Sequence, residues 1–155
     1  MRMKRKNLIV LALLLLAAFA AQGAEKQIAK KDLPPAVQKT AEAQARGATI
    51  RGYAKDHEDG QWEYEVEMWV DGHSKDVTIA PDGRLLEVEE EVSLGALPPA
   101  VRAGLLARAK KGTITKVESI TRHGKIVAYE AKVAAAGRHR EIQVGPDGGR
   151  LAHEE

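Results

Sequence analysis

The sequence predicts an α+β fold. It consists of two tandem α-ββββ repeats, with helices packed on one face of antiparallel sheet, preceded by a signal peptide. Three observations carry this expectation. The phrase LPPAV occurs at Leu33–Val37 and again at Leu97–Val101. The phrase PDG occurs at 81–83 and again at 146–148. Between them the same succession of pairs recurs, Thr49-Ile50 with Thr113-Ile114 and Tyr64-Glu65 with Tyr129-Glu130, at an offset that drifts by single residues at the turns. A fixed period of this kind marks a duplicated unit. The expected boundaries are a signal peptide over 1–24, a first repeat over 25–92 and a second over 93–155.

The N-terminal segment reads as an export signal. Arg2, Lys4, Arg5 and Lys6 form a basic start, and Leu8 to Ala20 is an uncharged apolar run. That run is shorter than a comfortable membrane span. Ala18-Phe19-Ala20 and Ala21-Gln22-Gly23 both present the small-x-small pattern, so cleavage is expected near 20–24, with a periplasmic or extracellular product and no membrane attachment afterwards. The chain has no cysteine. Lipid attachment through a thiol is thereby excluded, and the exported fold must be held by its core without disulfides.

Charge narrows the partner class. Removing the leader leaves 20 basic and 22 acidic residues, which does not suit a nucleic-acid binder. The two halves differ in sign. Residues 25–92 carry nine basic and sixteen acidic side chains, net −7, and residues 93–155 carry eleven and six, net +5. This implies mutual attraction or a polarised surface.

Each element has a local cause. Pro34 and Pro98 suit the first turn of a helix, and Leu33, Val37, Ala41 and Ala45 recur at every fourth position, as do Leu97, Val101, Leu105 and Ala109. Glycine at 47 and 112 is expected to stop each helix. The segment TIRGYAKDH then leads through Asp59-Gly60 into QWEYEVEMWV, whose strict alternation predicts a half-buried antiparallel strand. Trp62, Tyr64, Val66 and Met68 fall on the core side, with Tyr129 equivalent to Tyr64. The phase of the strand holding Tyr53 stays open. Asp71-Gly72 turns into HSKDVTIA, with Val77 and Ile79 inward, and PDG provides a tight connection to RLLEVEEEV. The second unit offers Val127, Tyr129, Ala131 and Val133, then Ile142 and Val144, in equivalent places. A single unit of this size is marginal alone, so a shared sheet that removes an exposed edge from each is preferred.

These motifs resemble the PepSY and PepSY-like families: a helix opening LP-x-AV, a DG-x-W-x-Y-E-V-E strand, a DG turn, a V-T-I strand and a PDG-R-L-L hairpin. The resemblance covers residues 32–155 in two copies. It implies a fold similar to the β-lactamase inhibitory protein. It also implies an exported, non-catalytic binding or inhibitory module, with peptidase inhibition the activity proposed for the class. The second copy, AYEAKVAAAGRHREIQVG, departs from the pattern by losing its acidic residues and its second DG.

No catalytic constellation is legible. Ser74, Ser93 and Ser119 lie outside any G-x-S-x-G turn, and no two histidines have the spacing that puts both on one face as metal ligands. KDHEDG lacks the first carboxylate of a calcium loop, since Lys55 stands there. No catalytic residue, cofactor or metal site is therefore expected. The candidate partner-binding residues are Trp69, Glu63, Glu65 and Glu67, which share one strand face by parity, joined by Glu87, Glu89 and Leu85 from the last strand. An aromatic on an acidic sheet face has the character of an anchor. The expected function is a monomeric protein- or peptide-binding module that meets a basic surface. The alternative is a structural, envelope-stress or weakly cation-binding protein with no enzyme target.

Overall fold

A computed structural model describes residues 25–58 and 60–153. The expected signal peptide lies outside them, as does Asp59 of the first hairpin. Eight strands form one antiparallel sheet in strict chain order: β1 (Lys26–Gln27), β2 (Thr49–Glu58), β3 (Gln61–Val70), β4 (His73–Ile79), β5 (Leu85–Glu91), β6 (Thr113–Arg122), β7 (Lys125–Ala135) and β8 (Arg138–Val144). Helix α1 (Pro35–Gln44) is inserted between β1 and β2, and α2 (Pro99–Ala109) between β5 and β6.

This corrects the expected fold class. The chain does not form two α-ββββ repeats; it forms one continuous eight-stranded sheet with two short helices. α1 is followed by four strands and α2 by three, and the two-residue β1 supplies the eighth. The cause is the segment after each PDG. In the first half, LLEVEEE has the length and alternation to pair on both sides. In the second, Gly149, Arg150, Leu151, Ala152 and His153 follow the PDG among the described residues, and they form no strand.

Both helices lie on one face of the sheet. Under α1, Val37 and Ala41 pack on Val66, Met68, Val77 and Ile79. Under α2, Val101, Leu105 and Ala109 pack on Val117, Tyr129, Ala131, Val133, Ile142 and Val144. Directly opposed residues share a face. Val66 pairs with Val77 and Val77 with Val88, while Glu90, two residues on from Val88, pairs with Ser119 and Ser119 with Tyr129. The two cores are therefore stretches of the same surface.

The repeated phrases LPPAV and PDG turn out to be two halves of one contact. Pro35 and Pro99 occupy the first helical position, where a missing N–H costs nothing. Leu33 and Leu97 are buried just before them. Against each helix start lies the glycine of the following PDG, in the left-handed region at φ 87° for Gly83 and 78° for Gly148. A Cβ on Gly83 would stand 2.8 Å from the Ala36 carbonyl oxygen, and one on Gly148 would run into the carbonyl of Ala100. The Thr40 hydroxyl donates to the Gly83 carbonyl at 2.6 Å. The equivalent position on α2 is Gly104, whose own Cβ would strike the Gly148 carbonyl, so α2 sits closer to its turn.

Three details differ from the sequence reading. Trp62 is 46% exposed, not core. A ten-residue helix is about 15 Å long and a ten-residue strand about 33 Å, so the β2–β3 hairpin outruns α1. There Trp62 meets His57 edge-on, with ring centroids 4.9 Å apart, and Lys55 Nζ lies 4.7 Å from its centroid. Leu85 lies on the helix side, because a bulge at Leu86 shifts the β4–β5 register and reverses the parity. Finally, the left-handed residue ending α2 is Lys110 at φ 55°, while Gly112 serves close packing against Val133. Tyr53 packs on the α1 core, which settles the phase of β2.

Gly148→Ala is expected to lower unfolding stability by about 3 kcal/mol, since both φ and space forbid the methyl. Gly124→Ala, at φ 73° with nothing within 4 Å, should cost only about 1 kcal/mol. Urea denaturation of the pair measures the difference. The Ala136-Gly137 turn carries φ of 49° and 73°, a two-residue hairpin that favours asparagine first. Ala136→Asn should therefore raise stability by about 0.5 kcal/mol in the same assay.

Candidate functional site

The face opposite the helices is defined by register. β3 presents Glu63, Glu65, Glu67 and Trp69. Across it, Glu65 opposes Thr78, Thr78 opposes Glu87, and Glu87 opposes Arg122. One rung along, Glu67 opposes Asp76, Asp76 opposes Glu89, and Glu89 opposes Ile120. All six expected partner-binding residues thus lie on the helix-free face. Trp69 is 43% exposed, and the Arg51 guanidinium stands 6.0 Å from its ring centroid. Arg51 occupies the bulge between the Ile50 and Gly52 pairings, and bulges commonly re-aim a side chain in this way.

The six are not equivalent. Glu87 accepts from Arg122 Nε at 2.6 Å, so its charge is engaged by the second half of the sheet. Glu67 accepts from Gln27 Nε2 at 3.1 Å, an interaction supplied by the edge strand β1. Glu63 and Glu65 line a small depression with Glu25, Asp56, Glu58 and Thr78. Glu89 sits nearer the middle of the face, among residues the sequence reading did not select.

Those residues are Asp76 and Glu118, with Lys116 and Lys132 beside them. Carboxylate oxygens of Asp76, Glu89 and Glu118 all lie within 4.8 Å of one another. Glu118 is only 2% exposed, with Lys116 Nζ at 2.6 Å and Lys132 Nζ at 3.6 Å. Lys132 also reaches Glu141 at 3.7 Å, and Glu130 accepts from Gln143 Nε2 at 3.0 Å. Strand parity alone marks Asp76 as outward, between Val77 and the turn. Nothing local marks Glu118, because its neighbourhood is created by the β5–β6 pairing.

Burial and like charge raise the carboxyls of this face. Burial pushes Glu65 up to about 7, helped by the charges of Glu25, Asp76 and Glu67. Burial pushes Glu89 up to about 8, with Glu87, Glu118 and Glu130 adding to it. Asp76, Glu130 and Glu63 are raised for the same first reason. Lys132 shows the reverse balance: burial lowers its ammonium, but Glu118, Glu141, Glu130 and Glu89 together hold it above its ordinary value.

Three clustered carboxylates have the donor set for a hard cation, although Lys116 already bonds one of them. The face as a whole combines an exposed indole with a field of carboxylates. In the second half it continues as Glu130, Lys132, His139 and Glu141, a mixed set.

The raised carboxyls fix a sign. Glu65 and Glu89 hold protons in the folded state that the unfolded chain has released above about pH 4.5. Stability is therefore fully present at mildly acidic pH and falls as pH climbs towards 8. Unfolding free energies from urea denaturation at pH 5 and pH 8 should differ by on the order of 2 kcal/mol, the acid side being the more stable.

Comparison with solved structures identifies the fold. A DUF2874 family protein from Bacteroides ovatus superposes with a TM-score of 0.59 at 22% identity, over 77% of this chain and 86% of that one. A Bacteroides eggerthii protein ascribed to the periplasm gives 0.62 at 20% identity, over 77% and 86%. A BLIP-like protein from Bacteroides fragilis gives 0.57 at 23% identity, over 79% and 86%. No family model matches the sequence, and no curated protein matches it. Among the described residues no helix is long and apolar enough to cross a membrane. The fold is that of the BLIP-like, β-lactamase-inhibitory-protein-like proteins.

Proposed function

We propose that this protein is an exported, non-catalytic module that captures a basic protein or peptide surface on its helix-free sheet face. In its most concrete form it is an inhibitor or regulator of a secreted or envelope peptidase or other enzyme. The observation that carries this reading is the exposed Trp69 on a sheet face otherwise dense in carboxylates. An aromatic anchor supplies contact area at low entropic cost, and the surrounding charge steers a cationic partner and speeds encounter. Support also comes from the BLIP-like fold, from the periplasmic location ascribed to the B. eggerthii protein, and from the basic and apolar leader read in the sequence. The PepSY resemblance rests on its short motifs.

A second reading has one observation of its own. The grouping of Asp76, Glu89 and Glu118 is the feature a weak cation-binding protein would use. Calcium added in millimolar excess would then raise the melting temperature by several degrees, whereas a protein-binding face leaves it unchanged.

Crosslinked capture from the native envelope or culture medium tests the main reading. Trp69→Ala should reduce recovery of the partner at least about tenfold, corresponding to about 1.4 kcal/mol. Trp62→Ala serves as the control, being equally exposed but at the hairpin tip on the opposite parity. Both variants should retain the wild-type melting temperature to within about 2 °C. Equal recovery with Trp69→Ala would remove the anchor from the reading.

A further inference from the structure

Glu89 stands at the centre of a like-charged cluster assembled from four strands. Asp76 faces it from β4, Glu87 from its own strand, Glu118 from β6 and Glu130 from β7. Glu67 lies one strand beyond Asp76 on the same rung. Three cations answer them: Lys116 on Glu118, Lys132 between Glu118 and Glu141, and Arg122 on Glu87. Carboxylates thus outnumber cations around Glu89 among the described residues. Three of the carboxylates have oxygens within 4.8 Å of one another, and one of these belongs to the 2%-exposed Glu118. Like charges this close disfavour the ionised forms of Asp76 and Glu89.

We propose that the helix-free face is a proton-operated electrostatic switch centred on Glu89, weakly anionic when the cluster holds its protons and strongly anionic when it has shed them. The inference rests on the reading of this face as the docking surface, and it adds when that surface is engaged. A basic partner is bound with release of protons, so its affinity rises with pH. Acidification returns the protons, discharges the partner and stabilises the free protein. The raised positions of Glu89, Glu65 and Asp76 are consistent with this geometry. The binding and stability effects oppose one another: the charge that attracts a cation is the charge that strains the sheet.

Side-chain carboxyl NMR from pH 4 to 9 tests the switch without any partner, so its failure is separable from failure of the docking reading. Glu89 should titrate with a midpoint above about 6.5, and E89Q should lower the Asp76 midpoint by about one pH unit. D76N gives the reciprocal shift at Glu89 if E89Q does not fold. N-acetylated hexalysine, which lacks the α-amino group and whose side chains stay charged up to about pH 9, serves as a cationic probe at low salt. Wild-type protein should bind it about tenfold more tightly at pH 8.5 than at pH 5.5, and E89Q should show most of that ratio lost. The E89Q comparison removes the contribution of every other group on the face. A Glu89 midpoint below about 5, or equal hexalysine affinities at the two pH values, overturns the proposal.

Discussion

The pairing of β5 with β6 is the interaction on which the rest depends. Five residue pairs, from Glu87 with Arg122 to Glu91 with Glu118, join the strand that ends the first half to the strand that follows α2. The Val92 N–H extends the join by donating to the Val117 carbonyl at 2.9 Å. Without it each half would expose a strand edge and present a core too small to stand alone. With it, the two helix-covered cores become one surface, and so do the two bare faces behind them. The opposite charges of the halves meet across the same seam, most directly where Arg122 bonds Glu87 at 2.6 Å.

That seam also creates the chemistry of the bare face. Asp76 and Glu89 come from the first half and Glu118 from the second, and only the antiparallel register across three strands brings them together. A buried Glu118 held by Lys116 and Lys132 is costly to keep, and burial and like charge raise Glu89 and Asp76 beside it. Proteins carry such local conflicts chiefly where function requires them. Among the described residues the helix side shows no comparable clustering of carboxylates. There the PDG glycines fit against Ala36 and Ala100, and the apolar stripes of α1 and α2 close over Val, Ile and Met. One side of the sheet carries the apolar packing and the other carries the concentrated charge.

Much of this was legible in the chain. Helix starts at LPPAV, strand alternation in QWEYEVEMWV, DG and PDG turns, and the outward parity of Glu63, Glu65, Glu67 and Trp69 all derive from local rules: fixed proline φ, period two, and glycine where φ is positive. These are properties of a few adjacent residues, so no tertiary context was needed to read them. Other features depended on residues far away. Trp62 left the core because the hairpin is longer than the helix that covers it. Leu85 changed sides because one bulge inverts parity. The second half has three strands where the first has four, since the described residues after its PDG form no strand. Most of all, the company of Glu89 was decided by which strand lay across the seam. Sequence determines which face a side chain takes within its own strand. Only the packed sheet determines what stands opposite it, because register between distant strands is set by the sum of core contacts and turn lengths rather than by any one segment.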